Sequence, residues 1–272
     1  MLDRRRPEAL KPPVRRSIGK IVRVDILRRI DPVVARLRAD DCRAIWLAGS
    51  HATGDPGRFS DVDLGVISAS GRRGFSLEVH DGLLLSISMI SERAMLKAFD
   101  EPAIVGAAVP GWRDAILLFD PEGCGAALKR AAQDWRWDNI AAACNAWCAA
   151  QAVSAADDVL KLANAIDRRD LREAALRRNT LAARLPLVMS VRRRLLYGSE
   201  RNLFRVVDRE LGDEWARKHA TALGVQPVPP AEGFSAVWWL YQRVADDIAP
   251  LLNEHQSAIV KLALASRPTE RA

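Results

Sequence analysis

Two aspartates, Asp61 and Asp63, stand two positions apart in "SDVDLGVIS", a short run rich in Val, Leu and Ile. Such a run reads as a β-strand, and residues two apart on a strand project from the same face. Val62, Leu64 and Val66 then face a core, while the two carboxylates share the opposite side. Two like charges that close repel unless a cation lies between them. Oxygen-only ligation suits Mg²⁺. Upstream, "LAGSHATG" places Gly49 and Ser50 between an apolar strand and a short helix-like stretch. Gly49 lets a phosphate approach the backbone. Ser50 offers a hydroxyl and an N–H where anions are favoured. His51 and Arg58, on the same connection, are further candidates to donate to phosphate. A phosphate cradle and a metal-binding pair joined by one loop describe metal-assisted phosphoryl chemistry.

The elements that must position these groups are legible as patterns. Apolar residues at helical spacing run from Ile18 to Leu37, with Pro32 as a point of kinking or restart. "CRAIWLAG", "SDVDLGVIS", "GFSLEVH", "LLLSISMI" and "DAILLFD" read as five strands, the third and fourth flanking Asp81-Gly82 as a hairpin. "SERAMLKAF" reads as a helix with Ser91 at its N-cap. From about Gly123 the chain turns Ala-, Leu- and Arg-rich with helical periodicity. The expected fold class is α+β: a mixed sheet with flanking helices, followed by an all-α helical bundle. The expected division is a basic arm over 1–17, the sheet-bearing domain over 18–122, the helical domain over 123–266 and a tail over 267–272.

Bulk composition narrows the classes. At 272 residues and 49% apolar, the chain can bury a substantial core. No apolar run approaches a membrane span, and the basic N-terminus lacks the apolar region of a secretory signal. The net charge is 41 − 34 = +7, of which residues 1–16 supply 6 − 2 = +4. The remainder is mildly basic, which fits a phosphate-bearing small ligand. The interleaved aromatic and basic residues of a nucleic-acid groove are not visible, so nucleic acid is not an expected partner. Cys42, Cys124, Cys144 and Cys148 complete no zinc set. They read as buried thiols of a reduced, cytoplasmic protein. The Trp residues of the helical half read as packing. Its acid pairs, Asp157-Asp158 and Asp246-Asp247, read as solvated faces.

The segment "AGSHATGDPGRFSDVDL" resembles the signature of the DNA polymerase beta-like nucleotidyltransferase superfamily. "AVPGWRDAILLFDPEG", "YGSERNLFRVV" and the helical half loosely resemble bacterial small-molecule nucleotidyltransferases of the kanamycin and lincosamide type. The resemblance implies that Asp61 and Asp63 hold two Mg²⁺ ions and that Ser50 meets the triphosphate of an NTP, with ATP the expected donor. It implies transfer of a nucleoside monophosphate to a hydroxyl of a small molecule, antibiotics among the candidates.

The family's third carboxylate, on a later strand, falls at Ser86. A two-residue Asp81-Gly82 loop would put Glu78 on a face with Leu85 and Ile87. A three-residue loop, His80-Asp81-Gly82, would gather Phe75, Leu77, Val79, Leu83, Leu85 and Ile87 on one face, and Glu78 with Ser86 on the other. A buried face specifies register strongly, so the second is preferred and Glu78 becomes the candidate third acid. Asp114 and Asp120 are weaker candidates, because strand-end aspartates commonly serve turns and caps. The competing expectation is a nucleotidyltransferase fold that binds nucleotide or a partner without catalysis, because position 86 carries no acid. Transfer to RNA or a protein side chain is a third alternative.

Overall fold

The computed structural model describes residues 15–267, with side chains from residue 25. Most of the expected N-terminal arm, and the tail from residue 268, lie outside the described residues. Residues 15–17 of that arm are helical: they open helix α1 (Arg15–Arg38). α1 continues through Pro32 rather than restarting there. The chain is α+β and clusters into two compact units, one comprising residues 1–95 and 112–131, the other 96–111 and 132–272.

The first unit carries all five expected strands: β1 (Cys42–Leu47), β2 (Val62–Ser68), β3 (Gly74–His80), β4 (Leu83–Ile90) and β5 (Ile116–Phe119). Between β1 and β2 stands a one-turn helix, α2 (Gly49–Thr53). The sheet order is β3-β4-β2-β1-β5. β2 runs parallel to β4, and the other pairs are antiparallel. β2 is therefore interior, and its two faces meet different surroundings. Val62, Leu64 and Val66 pack with Leu85 and Ile87 of β4 against Ile26, Ile30, Val33 and Val34 of α1. That apolar layer follows from alternation on the strand meeting the 3.6-residue period on the helix. It leaves Asp63, Gly65 and Ile67 on the other face.

Gly65 is dictated by its neighbour across the ladder. It pairs with Trp46 of β1, and a β-carbon there would lie 2.0 Å from the indole ring. Trp46 in turn packs against Trp112, with ring centroids 4.6 Å apart. The indole occupies the space a side chain would fill.

The β3–β4 hairpin corrects the expected register. His80 pairs with Leu83 and Glu78 with Leu85, so the loop is the two-residue Asp81-Gly82. Both residues have positive φ, 49° and 70°, as the primed hairpin turns require. No buried face sets this register, because Phe75, Leu77 and Val79 of β3 are exposed. α1 holds the other face, with Arg29 bonded to Asp81 at 2.7 Å and Arg36 to Glu78.

After β4 come α3 (Glu92–Ala98), α4 (Pro102–Asp114) and, beyond β5, α5 (Cys124–Asp134). The Ser91 hydroxyl accepts from the Ala94 N–H at the start of α3, as expected of an N-cap. Asp120 takes the N–H groups of Gly125 and Ala126, so it caps α5.

In the second unit, α6 (Ala141–Asp167) and α7 (Leu171–Arg192) form a helical hairpin, followed by α8 (Glu200–Leu211), α9 (Asp213–Leu223), α10 (Pro230–Ile248) and α11 (Glu254–Ala265). Trp135, Trp215 and Trp238 are buried, as packing residues. The acid pairs are only half solvated. Asp157 is exposed and bridges Lys161, but Asp158 is buried against Arg177 and Arg184, and Asp247 against Arg192 and Arg193.

Replacing Gly65 by alanine is expected to lower stability by about 2 kcal/mol, the usual scale of overpacking, read as a reduced midpoint in urea denaturation. An unchanged midpoint would mean that the Trp46 ring yields freely.

Candidate active site

The sharpest geometry in the first unit lies where α2 meets β2. Gly49 opens α2 with φ of 62°. A β-carbon on it would fall 2.0 Å from Oδ2 of Asp63. No side chain fits between this backbone and that carboxylate. The turn is anchored at the same place, since the Ala48 N–H donates to the Asp63 carbonyl at 2.9 Å. At the other end of α2, Gly54 and Asp55 both donate to the Ser50 carbonyl, and Thr53 adds its hydroxyl at 3.1 Å. Ser50 is thus fixed in a tight turn beside the carboxylate.

Asp63 is half-buried, and Asp61 lies one residue before β2. Burial, and then the charge of Asp61, push the Asp63 carboxyl up to about 6. That places two carboxylates close enough to repel, as their spacing implied. Next to them, His51 has both ring nitrogens buried. Burial pulls its basicity down, while the Ser60 carbonyl and the Asp61 charge oppose that pull. Arg58 is exposed, with its guanidinium 5.1 Å from the centre of the Phe59 ring.

Residues 29–101 match the family model described as a nucleotidyltransferase domain. This segment is similar to the nucleotidyltransferase domains of the DNA polymerase beta-like superfamily. The match takes in the C-terminal part of α1, all of β1 to β4, and α2 and α3. The solved structure of a nucleotidyltransferase-like protein from Exiguobacterium sibiricum 255-15 is similar to the whole chain. It has 11% sequence identity, a TM-score of 0.46, and coverage of 89% of this chain and 88% of its own. No curated protein matches the sequence.

Ser86, where the resemblance leads one to expect a third acid, pairs directly with Asp63 across β2 and β4. Glu78 does not replace it. Glu78 pairs with Leu85, whose side chain lies in the α1-covered core, so it sits on the opposite face of the sheet from Asp63. Its carboxylate is taken by Arg36. Leu77 is the β3 residue opposite Ser86. Asp120 is occupied as a helix cap, and Asp114 is an exposed residue ending α4. Among the described residues, no group of three or more His, Cys, Asp or Glu is placed to hold a metal. Also among them, no helix is long and apolar enough to cross a membrane.

Two carboxylates without a third still fit Mg²⁺, which commonly takes one or two protein carboxylates and completes its shell from substrate phosphates and water. The half-buried Asp63 beside Asp61, and the buried ring of His51 at the same corner, are chemically compatible with a charged ligand.

The pH dependence of Asp63 follows from its sign. Its folded value, about 6, lies above the ordinary 3.8. A raised carboxyl favours the fold at acid pH, and that contribution disappears as pH rises through 6. Asp63→Asn is therefore expected to stabilise the metal-free protein at pH 7.5 by about 1–3 kcal/mol, and hardly at all at pH 3.5. Thermal melts at both values check this. A variant equally stabilised at both would show that the charge at 63 carries no such strain.

Proposed function

We propose that the chain catalyses Mg²⁺-dependent transfer of a nucleoside monophosphate from an NTP, with ATP as donor, to a hydroxyl of a small-molecule acceptor. The observation that carries this reading is the close approach of Gly49 to Asp63 Oδ2, within a segment matching the nucleotidyltransferase domain.

Asp61 and Asp63 are the residues that would hold the metal ions. Two bound Mg²⁺ ions supply charge neutralisation of the triphosphate and of the entering and leaving oxygens. Gly49 admits a phosphate to the backbone because it has no side chain to exclude it. The Ser50 hydroxyl is a donor to a phosphate oxygen, and so is a ring N–H of His51. Either would replace hydrogen bonds the triphosphate loses on leaving water. Arg58 can swing from Phe59 to the triphosphate, since it is exposed and unburdened by burial. Pyrophosphate leaves, and the acceptor oxygen takes its place on the α-phosphorus. Its proton goes to solvent, because Ser86 cannot accept it as a carboxylate would.

A second reading is favoured by one observation, the pairing of Ser86 with Asp63 where the superfamily places an acid. In that reading the domain binds nucleotide, or a partner, without turnover.

The purified chain, incubated with Mg²⁺, labelled ATP and a panel of hydroxylated acceptors that includes aminoglycosides, lincosamides and RNA, decides between the two. The transferase reading expects a labelled adduct and pyrophosphate, both falling by at least about a hundredfold in Asp61→Asn and in Gly49→Ala. Placing an acid there in Ser86→Asp is expected to raise kcat about a hundredfold, the lower end of what a general base contributes. Mg²⁺-dependent ATP binding with no adduct from any acceptor, in wild type and in Ser86→Asp alike, would establish the binding module and refute the transferase.

A further inference from the structure

The face of the sheet that carries Asp63 continues outward as an apolar platform. Asp63 pairs with Ser86 on β4, and Ser86 pairs with Leu77 on β3. Neighbouring pairs on the same face join Phe75 to Ser88 and Val79 to Leu84. Phe75, Leu77, Val79 and Leu84 are 66%, 58%, 79% and 46% exposed. Four large apolar side chains on one face of one hairpin are more than the scattered exposure normal for a surface. Two strand spacings separate Leu77 from Asp63, about 10 Å.

The same face is poor in acid. Among the residues of β2, β3 and β4, the only carboxylates are Asp63 and Glu78, and the register turns Glu78 to the other side. Cationic amines would find no counter-charge here beyond the acid pair. In the helical unit, Asp158 and Asp247 are already bound to arginines.

We infer that the acceptor is an amphiphile: a hydroxyl-bearing small molecule, not a polycation, with an apolar segment about 5–10 Å from the accepting oxygen. This rests on the transfer reading above and deepens it. The hydroxyl lies at the acid pair, the molecule crosses Ser86 and Ser88, and its apolar segment covers Leu77, Phe75 and Val79. The register explains the choice, because Leu77 rather than Glu78 is the β3 residue beside the reaction centre. Charge complementarity gives the same answer, since the platform offers burial to an apolar group and nothing to an ammonium.

The test uses the full chain with Mg²⁺ and ATP, and n-alkyl β-glucosides from butyl to octyl, each below its micelle concentration, with kanamycin as the polycation. Pyrophosphate release gives KM for each. Half-burial of each added methylene predicts a KM falling about twofold per CH₂. In Leu77→Asp that dependence on chain length flattens, while KM for ATP stays at the wild-type value. Leu176→Asp, at an exposed leucine of the helical unit, keeps the wild-type slope. A KM indifferent to chain length, an unaltered slope in Leu77→Asp, or a preference for kanamycin would overturn the inference. So would a changed KM for ATP in Leu77→Asp, which would assign the platform to the nucleotide. A doubled mass in light scattering that Leu77→Asp abolishes would assign it to a second copy of the chain. If no pyrophosphate appears at all, the transfer reading fails. Calorimetric binding of octyl glucoside to wild type and Leu77→Asp, with Mg²⁺ and ATP present, still decides this one. Equal heats, or none, would overturn it.

Discussion

A carboxylate pressed against a backbone with no side chain is the constraint from which the rest of the first unit follows. Asp63 can stand 2.0 Å from the place where a β-carbon of Gly49 would be only because that carbon is absent. The same approach keeps it partly out of water and beside the charge of Asp61, which together raise it to about 6. An isolated protein gains nothing from bringing two acids together in a half-buried corner. The arrangement is stable because β2, held on both sides by neighbouring strands and from below by α1, fixes the backbone whatever the charges prefer. The apolar layer beneath Val62, Leu64 and Val66 supplies the rigidity, and the polar corner spends a little of it. Active sites are commonly strained in this way, with the surrounding structure over-determining them.

How much of this the sequence discloses depends on whether a signal is local. The five strands, the Ser91 cap and the pairing of Asp61 with Asp63 are readable because alternation and turn chemistry act over a few residues. The Gly-Ser turn belongs to the same kind: Gly49 and the left-handed Gly54 bracket one turn of helix, and both residue types are dictated where they stand. α4 was not legible, because Gly106, Pro110 and Gly111 argue against a helix over 102–114. Tertiary packing overrides those propensities. A β-carbon at Gly106 would lie 2.4 Å from the ring of Tyr197, and the Gly106 carbonyl accepts from the N–H of Tyr197 and Gly198. That glycine serves a partner more than ninety positions away, which no window of sequence can show. The approach to β5, to which the sequence pattern assigns no element, is therefore a helix.

The hairpin departs from the expected register because β3 has an uncovered apolar face. Register follows the buried face only when a face is buried. β3 is an edge strand, and its apolar side chains lie on the uncovered face. What sets the register is local and polar instead. Asp81-Gly82 adopts the two positive φ values of a primed turn, and α1 reaches across with Arg29 and Arg36 to the acids of the hairpin. A shift of one residue puts Leu77 opposite Ser86 and turns Glu78, the candidate base, to the other face of the sheet. The charge partners of α1 could have hinted at this. Arg29 and Arg36 lie seven apart, on one helix face, and that face covers the sheet side where Leu85 and Ile87 are buried.

Gly49 and Gly65 show the same economy at two points of one sheet face. One yields its space to a carboxylate, the other to an indole. Asp63 and Gly65 are alternate residues of β2, so both neighbours press on the strand from the same side. Trp46 is wedged over Gly65 and backed by Trp112, so the sheet face that carries Asp63 turns apolar two residues further along the strand. Burial is the first cause of the raised Asp63 carboxyl, ahead of the charge of Asp61. The interior placing of β2 and the closeness of the two acids therefore act on one group in the same direction.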